Sequence, residues 1–180
     1  VDSVNTITFM TDPSSSKNAI ISNNSDFTIK FQNDVSYVTF KDLTIQTTGQ
    51  ANVIELDINN DHISFINDSL IGAIATIESN SLDVILDSGA ITNTSNFTLD
   101  SNVIVNGSTS FQQTSASASN KERGFVITNN TILNFYRTGL HLKHSDDILV
   151  ENNYIYTVSS APLVYGLYGD INNEINVIGN

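Results

Sequence analysis

The chain has 180 residues, a formal net charge of −12 and no cysteine. Seven Lys and Arg stand against 19 Asp and Glu, which excludes nucleic acid as an expected partner and disfavours docking on an anionic membrane. The lack of cysteine excludes disulfides, zinc–thiolate sites and cysteine nucleophiles. No apolar run approaches the roughly 20 residues of a membrane helix, so we expect no membrane insertion.

Short runs of alternating apolar residues occur along the whole chain. In chain order they include FTIKF (27–31), VIELDI (53–58), LDVIL (82–86) and GLHL (139–142). A period of two is typical of strands with one buried face, and abundant Val, Ile and Thr favour strands further. Asn, Asp, Ser and Gly between the runs indicate tight turns. The sequence therefore predicts an all-β protein.

A second pattern recurs at intervals that suit the coils of a solenoid. It is an apolar residue, a variable residue, a pair drawn mainly from Asn, Asp and Ser, a variable residue and an apolar residue. Its copies are FKDLTI (40–45), FINDSL (65–70), LDSNVI (99–104), ITNNTI (127–132) and VENNYI (150–155). Their starts are separated by 25, 34, 28 and 23 residues, and we interpret the longest interval as a coil with a longer loop.

The clearest repeat lies near the C-terminus, where residues 139–153 align with residues 166–180 at an offset of 27 without a gap. Strands this short cannot bury an apolar face alone, so stacked coils must share one interior. We predict a single domain over residues 1–180, a right-handed parallel β-helix of about six to seven coils. No cap is evident at Asn180, so we expect this end to continue into a longer solenoid or to be covered by a partner.

Asparagine marks the predicted turns between strands. Asn and Gly tolerate the left-handed backbone of a sharp bend, and stacked Asn side chains can hydrogen-bond from coil to coil. We assign this structural role to Asn67, Asn102, Asn129, Asn152, Asn153 and Asn180.

Two parts of the chain resemble known families. ITNNTILNFYRTGLHLKHSDDILVENNYIYTV (127–158) resembles the repeat of the pectin-lyase-like superfamily. NTITFMTDPSSSKNAIIS (5–22) and VSYVTFKDLTIQTTG (35–49) are similar to large secreted or cell-surface proteins of Bacteroidetes that the type IX system exports. The resemblance implies a secreted or surface location in a Gram-negative bacterium, with a polysaccharide or an export component as partner. It specifies no activity, because this fold carries lyases, hydrolases, adhesins and spacers.

The one basic cluster with catalytic potential is made of Arg137, His141, Lys143 and His144, of which the first three are the candidate catalytic residues. The alternation around Leu140 and Leu142 predicts that His141 and Lys143 point outward from one strand. Polysaccharide lyases of the superfamily that this chain resembles use an outward Lys or Arg to remove the proton α to a uronate carboxylate. An ordinary solvated strand face explains the same residues, so both interpretations stay open.

Acidic residues suggest two further sites. Asp146 and Asp147 offer the carboxylates of a glycoside hydrolase, although they fall in a predicted turn. Asp57, Asn59 and Asp61 have the spacing of a calcium loop, but the glycine that such loops need at the sixth position is absent. Turn formation explains these residues without a metal, so we expect no cofactor and keep calcium as the alternative.

The C-terminal third is rich in aromatic residues, and exposed tyrosines stack readily on sugar rings. We take Tyr136 and Tyr154 as candidate substrate-binding residues. The low-complexity segment GSTSFQQTSASAS (107–119) predicts a protruding Ser/Thr-rich loop.

Two functions follow from these patterns. The first is a non-catalytic secreted or cell-surface segment, such as an adhesin, a stalk or a type IX cargo, that contacts a glycan. The alternative is a lyase-like enzyme acting on an acidic polysaccharide. The incomplete catalytic set and the negative charge favour the first.

Overall fold

The computed structural model describes residues 5–87, 94–115, 121–170 and 174–180. These residues form 19 strands and one turn of 3-10 helix, Asn80–Leu82. In chain order the strands are β1 (Ile7–Met10), β2 (Ala19–Asn23), β3 (Phe27–Phe31), β4 (Ser36–Lys41), β5 (Leu43–Thr47), β6 (Asn52–Leu56), β7 (Asp61–Ile66), β8 (Ser69–Ile71), β9 (Ile85–Asp87), β10 (Thr98–Asp100), β11 (Val103–Val105), β12 (Thr109–Thr114), β13 (Glu122–Thr128), β14 (Thr131–Leu133), β15 (Thr138–Lys143), β16 (Ser145–Glu151), β17 (Tyr154–Tyr156), β18 (Tyr165–Asp170) and β19 (Ile175–Ile178). Within these ranges there is no helix of the length and apolarity needed to cross a membrane.

Every third strand joins the same sheet, so the chain winds as a solenoid with three sheets. The first sheet has the order β1-β4-β7-β10-β13-β16-β19, the second β17-β14-β11-β8-β5-β2, and the third β18-β15-β12-β9-β6-β3. Neighbouring strands pair in parallel, as in β4 with β7 and β13 with β16. The predicted parallel β-helix is confirmed, with about six turns.

The register of the first sheet reproduces the intervals found in the sequence. Phe40 pairs with Phe65, and Phe65 pairs with Leu99. Leu99 pairs with Ile127, and Ile127 pairs with Val150. The intervals of 25, 34, 28 and 23 residues are therefore one coil each. The polar pair follows each of these residues at the same distance, so it lies at the same corner of every coil.

The interior is filled by the apolar residues that alternate with outward residues along the strands. Phe40 stacks on Phe9 and on Phe65, with ring centroids 5.0 and 5.1 Å apart. Phe97 stacks on Phe111 at 5.5 Å. Full burial of one such side chain contributes about 1.5–3 kcal/mol through removal of apolar surface from water. This continuous core sets which side chains of each strand point outward.

A repeated corner joins the first sheet to the second. Its first residue has a left-handed backbone, with φ between 54° and 61° at Asp42, Asn67, Ser101, Asn129, Asn152 and Gly179. From the third coil onward, its second residue is part of a polar ladder made of Asp68, Asn102, Asn130, Asn153 and Asn180. The backbone N–H of Asn102 donates to Asn130 Oδ1 at 2.9 Å, and that of Asn130 donates to Asn153 Oδ1 at 3.0 Å. The corner thus satisfies buried backbone groups with side-chain amides.

The prediction of a loop over residues 107–119 is wrong for residues 109–114. Thr109–Thr114 forms β12, which pairs with β9 and β15 in the third sheet. Phe111 points into the core, and buried Gln113 satisfies its amide by exchanging hydrogen bonds with the backbone of Lys143. The low-complexity segment can therefore be buried as a strand, because Phe111 packs in the core and the amide of Gln113 has hydrogen-bond partners. Residues 116–119 of the predicted loop lie outside the described residues.

Candidate functional site

A long loop leaves the solenoid between β8 and β9, over residues 72–84. Its base is closed by the next coil, because Gly107 N donates to Ala73 O at 2.9 Å and Ser108 N donates to Leu82 O at 2.8 Å. Gly107 has φ of 82°, a conformation that suits glycine. The loop accounts for much of the extra length of the coil between Phe65 and Leu99, which is the 34-residue interval found in the sequence.

A cleft of about 250 Å³ lies between this loop and the outer face of the third sheet. It is lined by Glu78, Asn80, Thr109, Gln112, Arg137, Thr138, His141, Tyr165 and Tyr168. Gln112, His141 and Tyr168 are register partners on β12, β15 and β18. Because outward positions of stacked coils fall in one row, these three side chains form the floor of the cleft.

Arg137 is held in place by three groups of the cleft wall. Its Nε lies 3.4 Å from Glu78 Oε2, and its Nη1 donates to the carbonyl oxygen of Leu163 at 3.0 Å. The guanidinium carbon lies 5.6 Å from the centre of the Tyr165 ring, within cation–π range. The guanidinium therefore has a defined orientation in the cleft.

His141 is half-buried on β15 and meets the Tyr168 ring edge to face, with centroids 5.0 Å apart. Burial lowers the pKa of His141 below its usual value, and the charge of Lys143 lowers it further. The ring is therefore neutral at pH 7. Its buried Nε2 has no hydrogen-bond partner among the described residues.

Lys143 follows His141 on the same outward face, as the alternation predicted, but it does not line the cleft. Its Nζ lies 3.8 Å from Asp170 Oδ2 on the neighbouring strand. Of the predicted basic cluster, the structure therefore brings Arg137 and His141 together and leaves Lys143 beside them.

The two candidate tyrosines lie elsewhere. Tyr136 lines a second cavity, of about 400 Å³, on the other side of the long loop. Tyr154 stands on the outer face of the second sheet and is 61% exposed. Tyr165 and Tyr168 do line the cleft. The sequence does not distinguish them from the other tyrosines, because their place opposite the loop depends on contacts that are distant in sequence.

The residues of the predicted calcium loop bond to neighbouring coils. Asp57 Oδ2 lies 3.7 Å from Lys30 Nζ, and Asn59 Nδ2 donates to Asp34 Oδ1 at 3.0 Å. The carboxylate of Asp61 accepts hydrogen bonds from two side chains of the next coil. Among the described residues, no group of three or more acidic or histidine side chains is placed to hold a metal ion. Calcium binding stays an alternative prediction.

The six asparagines assigned to turns all lie at the corner between the first and second sheets, in two roles. Asn67, Asn129 and Asn152 occupy the outward left-handed position. Asn102, Asn153 and Asn180 belong to the inner ladder. Sequence reasoning missed Asn130, although it is the second member of the polar pair in ITNNTI, which is the position that points inward.

Sequence reasoning also missed three buried carboxyl groups. Burial raises the pKa of Asp68 and of Asp83 to about 7, although backbone N–H groups that donate to them oppose the rise. Burial raises the pKa of Asp87 as well. Asp68 has a sequence signal, since it takes the inner position of the polar pair in FINDSL. Asp83 and Asp87 have none, because their burial depends on which coils cover them.

No protein-family model, curated protein or solved structure matches this chain. The solenoid is shown by its three parallel sheets. The surface location, the export route and the glycan partner stay predictions that rest on the resemblance and on the residues described above.

Proposed function

We propose that this chain is a non-catalytic β-helix segment of a secreted or cell-surface protein of a Gram-negative bacterium, and that its cleft contacts a glycan. The observation that carries the proposal is the cleft chemistry: an oriented arginine, a neutral histidine and two tyrosine rings on one side of a rigid sheet. Tyrosine rings pack on the apolar faces of sugars, while guanidinium groups bind carboxylates through paired hydrogen bonds.

An acidic sugar suits this cleft best. The side chain of Glu78 is 63% exposed and that of Arg137 is 22% exposed, so a carboxylate from solution can replace Glu78 at the guanidinium. Arg137 is the one Lys or Arg among the described residues that line the cleft, so it is the group that would bind an anionic ligand there.

Calorimetric titration with oligogalacturonate and oligoglucuronate tests the proposal. Arg137→Ala removes charge-assisted hydrogen bonds worth about 1.5–3 kcal/mol, so the Kd should rise at least about tenfold. Arg123→Ala is the matched control, because Arg123 is exposed on the first sheet, 3.9 Å from Asp146. The proposal fails if neither acidic oligosaccharide binds, or if Arg137→Ala binds as the wild type does.

His141 supports a second candidate, a lyase acting on an acidic polysaccharide. A neutral imidazole is the form that a general base needs, and Arg137 would neutralise the substrate carboxylate. The base would remove the proton α to that carboxylate, and a double bond would form between the α and β carbons. The C–O bond from the β carbon to the leaving sugar would break, and water would protonate the leaving oxygen.

Ultraviolet absorbance of the unsaturated product separates the two candidates. We expect no absorbance increase when the chain is incubated with polygalacturonate or alginate. An increase that is present in the wild type and absent in His141→Ala would replace the non-catalytic proposal by the lyase. The same assay on Lys143→Ala tests the residue that the sequence suggested as base, which is 3.8 Å from Asp170.

A further inference from the structure

The outer face of the second sheet carries no charge. Two rows of outward side chains cross its six strands, one residue of each row per strand. The rows are Ile20, Thr44, Ser69, Val103, Thr131 and Tyr154, and Ser22, Gln46, Ile71, Val105, Leu133 and Tyr156. All of these residues are described, and none is Asp, Glu, Lys, Arg or His. We call this surface the uncharged face.

The other two sheets differ. The third sheet presents Lys30, Glu55 and Lys143 on its outer side, and the first presents Lys41 and Glu151. On a chain with a net charge of −12, a complete sheet face without an ionisable carboxyl or amino group is a distinct surface. At about 4.8 Å per strand it extends for about 24 Å along the solenoid axis.

Two exposed tyrosines stand side by side at one end of the uncharged face. Tyr154 and Tyr156 are 61% and 50% exposed. Their ring centroids are 6.4 Å apart, and the ring planes differ by 15°. Since Ile155 between them points toward the core, both rings are directed to solvent from one short strand. Exposed tyrosine rings offer apolar area to a ligand at a small cost in side-chain entropy.

The uncharged surface continues into the second cavity. Asn106, Asn134 and Thr157 directly follow β11, β14 and β17, and all three line this cavity of about 400 Å³. Its described lining also includes Tyr136 and Ile74 and contains no Asp, Glu, Lys, Arg or His. The cavity therefore offers hydroxyl, amide and aromatic groups beside a flat neutral sheet, which is a volume and a chemistry suited to a neutral polar ligand.

We propose that the uncharged face and this cavity bind a neutral polysaccharide, with sugar rings lying on Tyr154 and Tyr156 and sugar hydroxyls meeting Asn106, Asn134 and Thr157. The charge pattern selects this occupant. An acidic polymer finds no cation on this face to bind its carboxylates. A second copy of the chain brings a net charge of −12 of its own and no positive region to offset it. The inference is independent of the cleft, which lies on another sheet.

Depletion from solution onto microcrystalline cellulose and onto chitin tests the inference with the full chain. We expect binding to at least one of the two polymers, and equal binding at low and at high NaCl concentration because the surface has no charge to screen. The double variant Tyr154→Ala/Tyr156→Ala should raise the Kd at least about tenfold through the loss of two stacking surfaces. Val103→Lys, which places a charge at a position that is 41% exposed near the middle of the face, should weaken binding similarly.

Ile178→Ala is the matched control, because Ile178 is 51% exposed on the first sheet of the same end of the solenoid. It should bind as the wild type does, and circular dichroism should show that all variants keep the strand content. The inference is overturned if neither polymer depletes the chain, or if the tyrosine variant binds unchanged. It is also overturned if light scattering shows that the wild type is a dimer and that the tyrosine double variant is a monomer. The face would then be a self-association surface. If the chain binds cellulose or chitin but no uronate oligosaccharide, the proposal for the cleft fails and the inference for the uncharged face stands.

Discussion

At the scale of single residues, adjacent asparagines at one corner have different physical roles. Asn129 has φ of 58° and faces solvent, where its Nδ2 donates to Asp100 Oδ1 at 2.8 Å. Asn130 is buried, and its Nδ2 donates to the carbonyl of Leu99 at 3.0 Å. Its Oδ1 also accepts from the backbone N–H of Asn102 at 2.9 Å. The first residue is chosen for backbone conformation and the second for its amide.

Asn130→Ala should therefore destabilise the chain more than a change at Asn129. It removes the partner of two buried backbone groups of the preceding coil, the N–H of Asn102 and the carbonyl of Leu99, which costs about 1–3 kcal/mol for each group. Asn129→Gly keeps the left-handed backbone and loses one exposed hydrogen bond, so it should cost no more than about 1 kcal/mol. Urea unfolding followed by circular dichroism measures both free energies of unfolding. Equal losses would contradict the assignment of the two roles.

At the scale of strands, the coils approach most closely where glycine replaces a side chain. An ideal Cβ on Gly139 in β15 would lie 2.5 Å from the carbonyl oxygen of Gly166 and 2.8 Å from Ile155 Cγ2. The equivalent Cβ on Gly166 in β18 would meet Ile155 Cγ2 at 3.7 Å, which is ordinary contact. The repeat that pairs these two glycines therefore contains one position that requires glycine and one that tolerates a methyl group.

Gly139→Ala should push β18 away from β15 and lower the free energy of unfolding by about 1–3 kcal/mol. Gly166→Ala is the matched control and should change it by no more than about 0.5 kcal/mol. Hydrogen exchange provides a second measurement, because β18 amides should lose protection in the first variant and keep it in the second. Equal protection of β18 in both variants would show that the coils do not approach as closely as described.

At the scale of the whole molecule, buried carboxyls make folding depend on pH. The pKa values of Asp68 and Asp83 are about 7 in the folded chain because burial disfavours their charged forms, and burial also raises the pKa of Asp87. These groups take up protons on folding, so their contribution to stability is full below the ordinary pKa of 3.8 and is lost as the pH rises through about 7.

Two other carboxyls act in the opposite direction. Partial burial by itself would raise the pKa of Asp61 and of Asp100, but side-chain hydrogen bonds to their carboxylates outweigh it, and both pKa values are lowered. Their contribution is present above the ordinary pKa of an Asp and is lost as the pH falls below it. Stability should therefore reach its maximum near the ordinary pKa of an Asp, at about pH 4, and fall as the pH rises to neutrality.

Thermal unfolding between pH 4 and pH 9 checks this, and we expect Tm to fall by at least about 5 °C from pH 5 to pH 8. Asp68→Asn should reduce the fall, because its amide stays neutral and can occupy the ladder position as Asn102 does in the next coil. Asp42→Asn is the control from the same corner, where the carboxylate is less buried. A Tm that rises through neutrality in the wild type would contradict the prediction.

The sequence by itself determined the solenoid, since its signals are local. Alternation sets the inward and outward sides of each strand, so His141 and Lys143 were placed on the outer face without a structure. Polar pairs with a left-handed preference mark the corner once per coil, so their intervals are the coil lengths. These properties depend on residues within a few positions of one another, and each short stretch of sequence contains them.

The tertiary structure alone decided the cleft, the cavity and the buried acids. The long loop folds back over the third sheet, so that Glu78 meets Arg137 and Tyr165 lines the same cleft. The same loop bounds the cavity that joins the uncharged face. Whether Asp83 is buried and whether Thr109–Thr114 forms a strand depend on which coil covers them. Such contacts join residues that are distant in the chain, and their free energy comes from packing that no local pattern specifies.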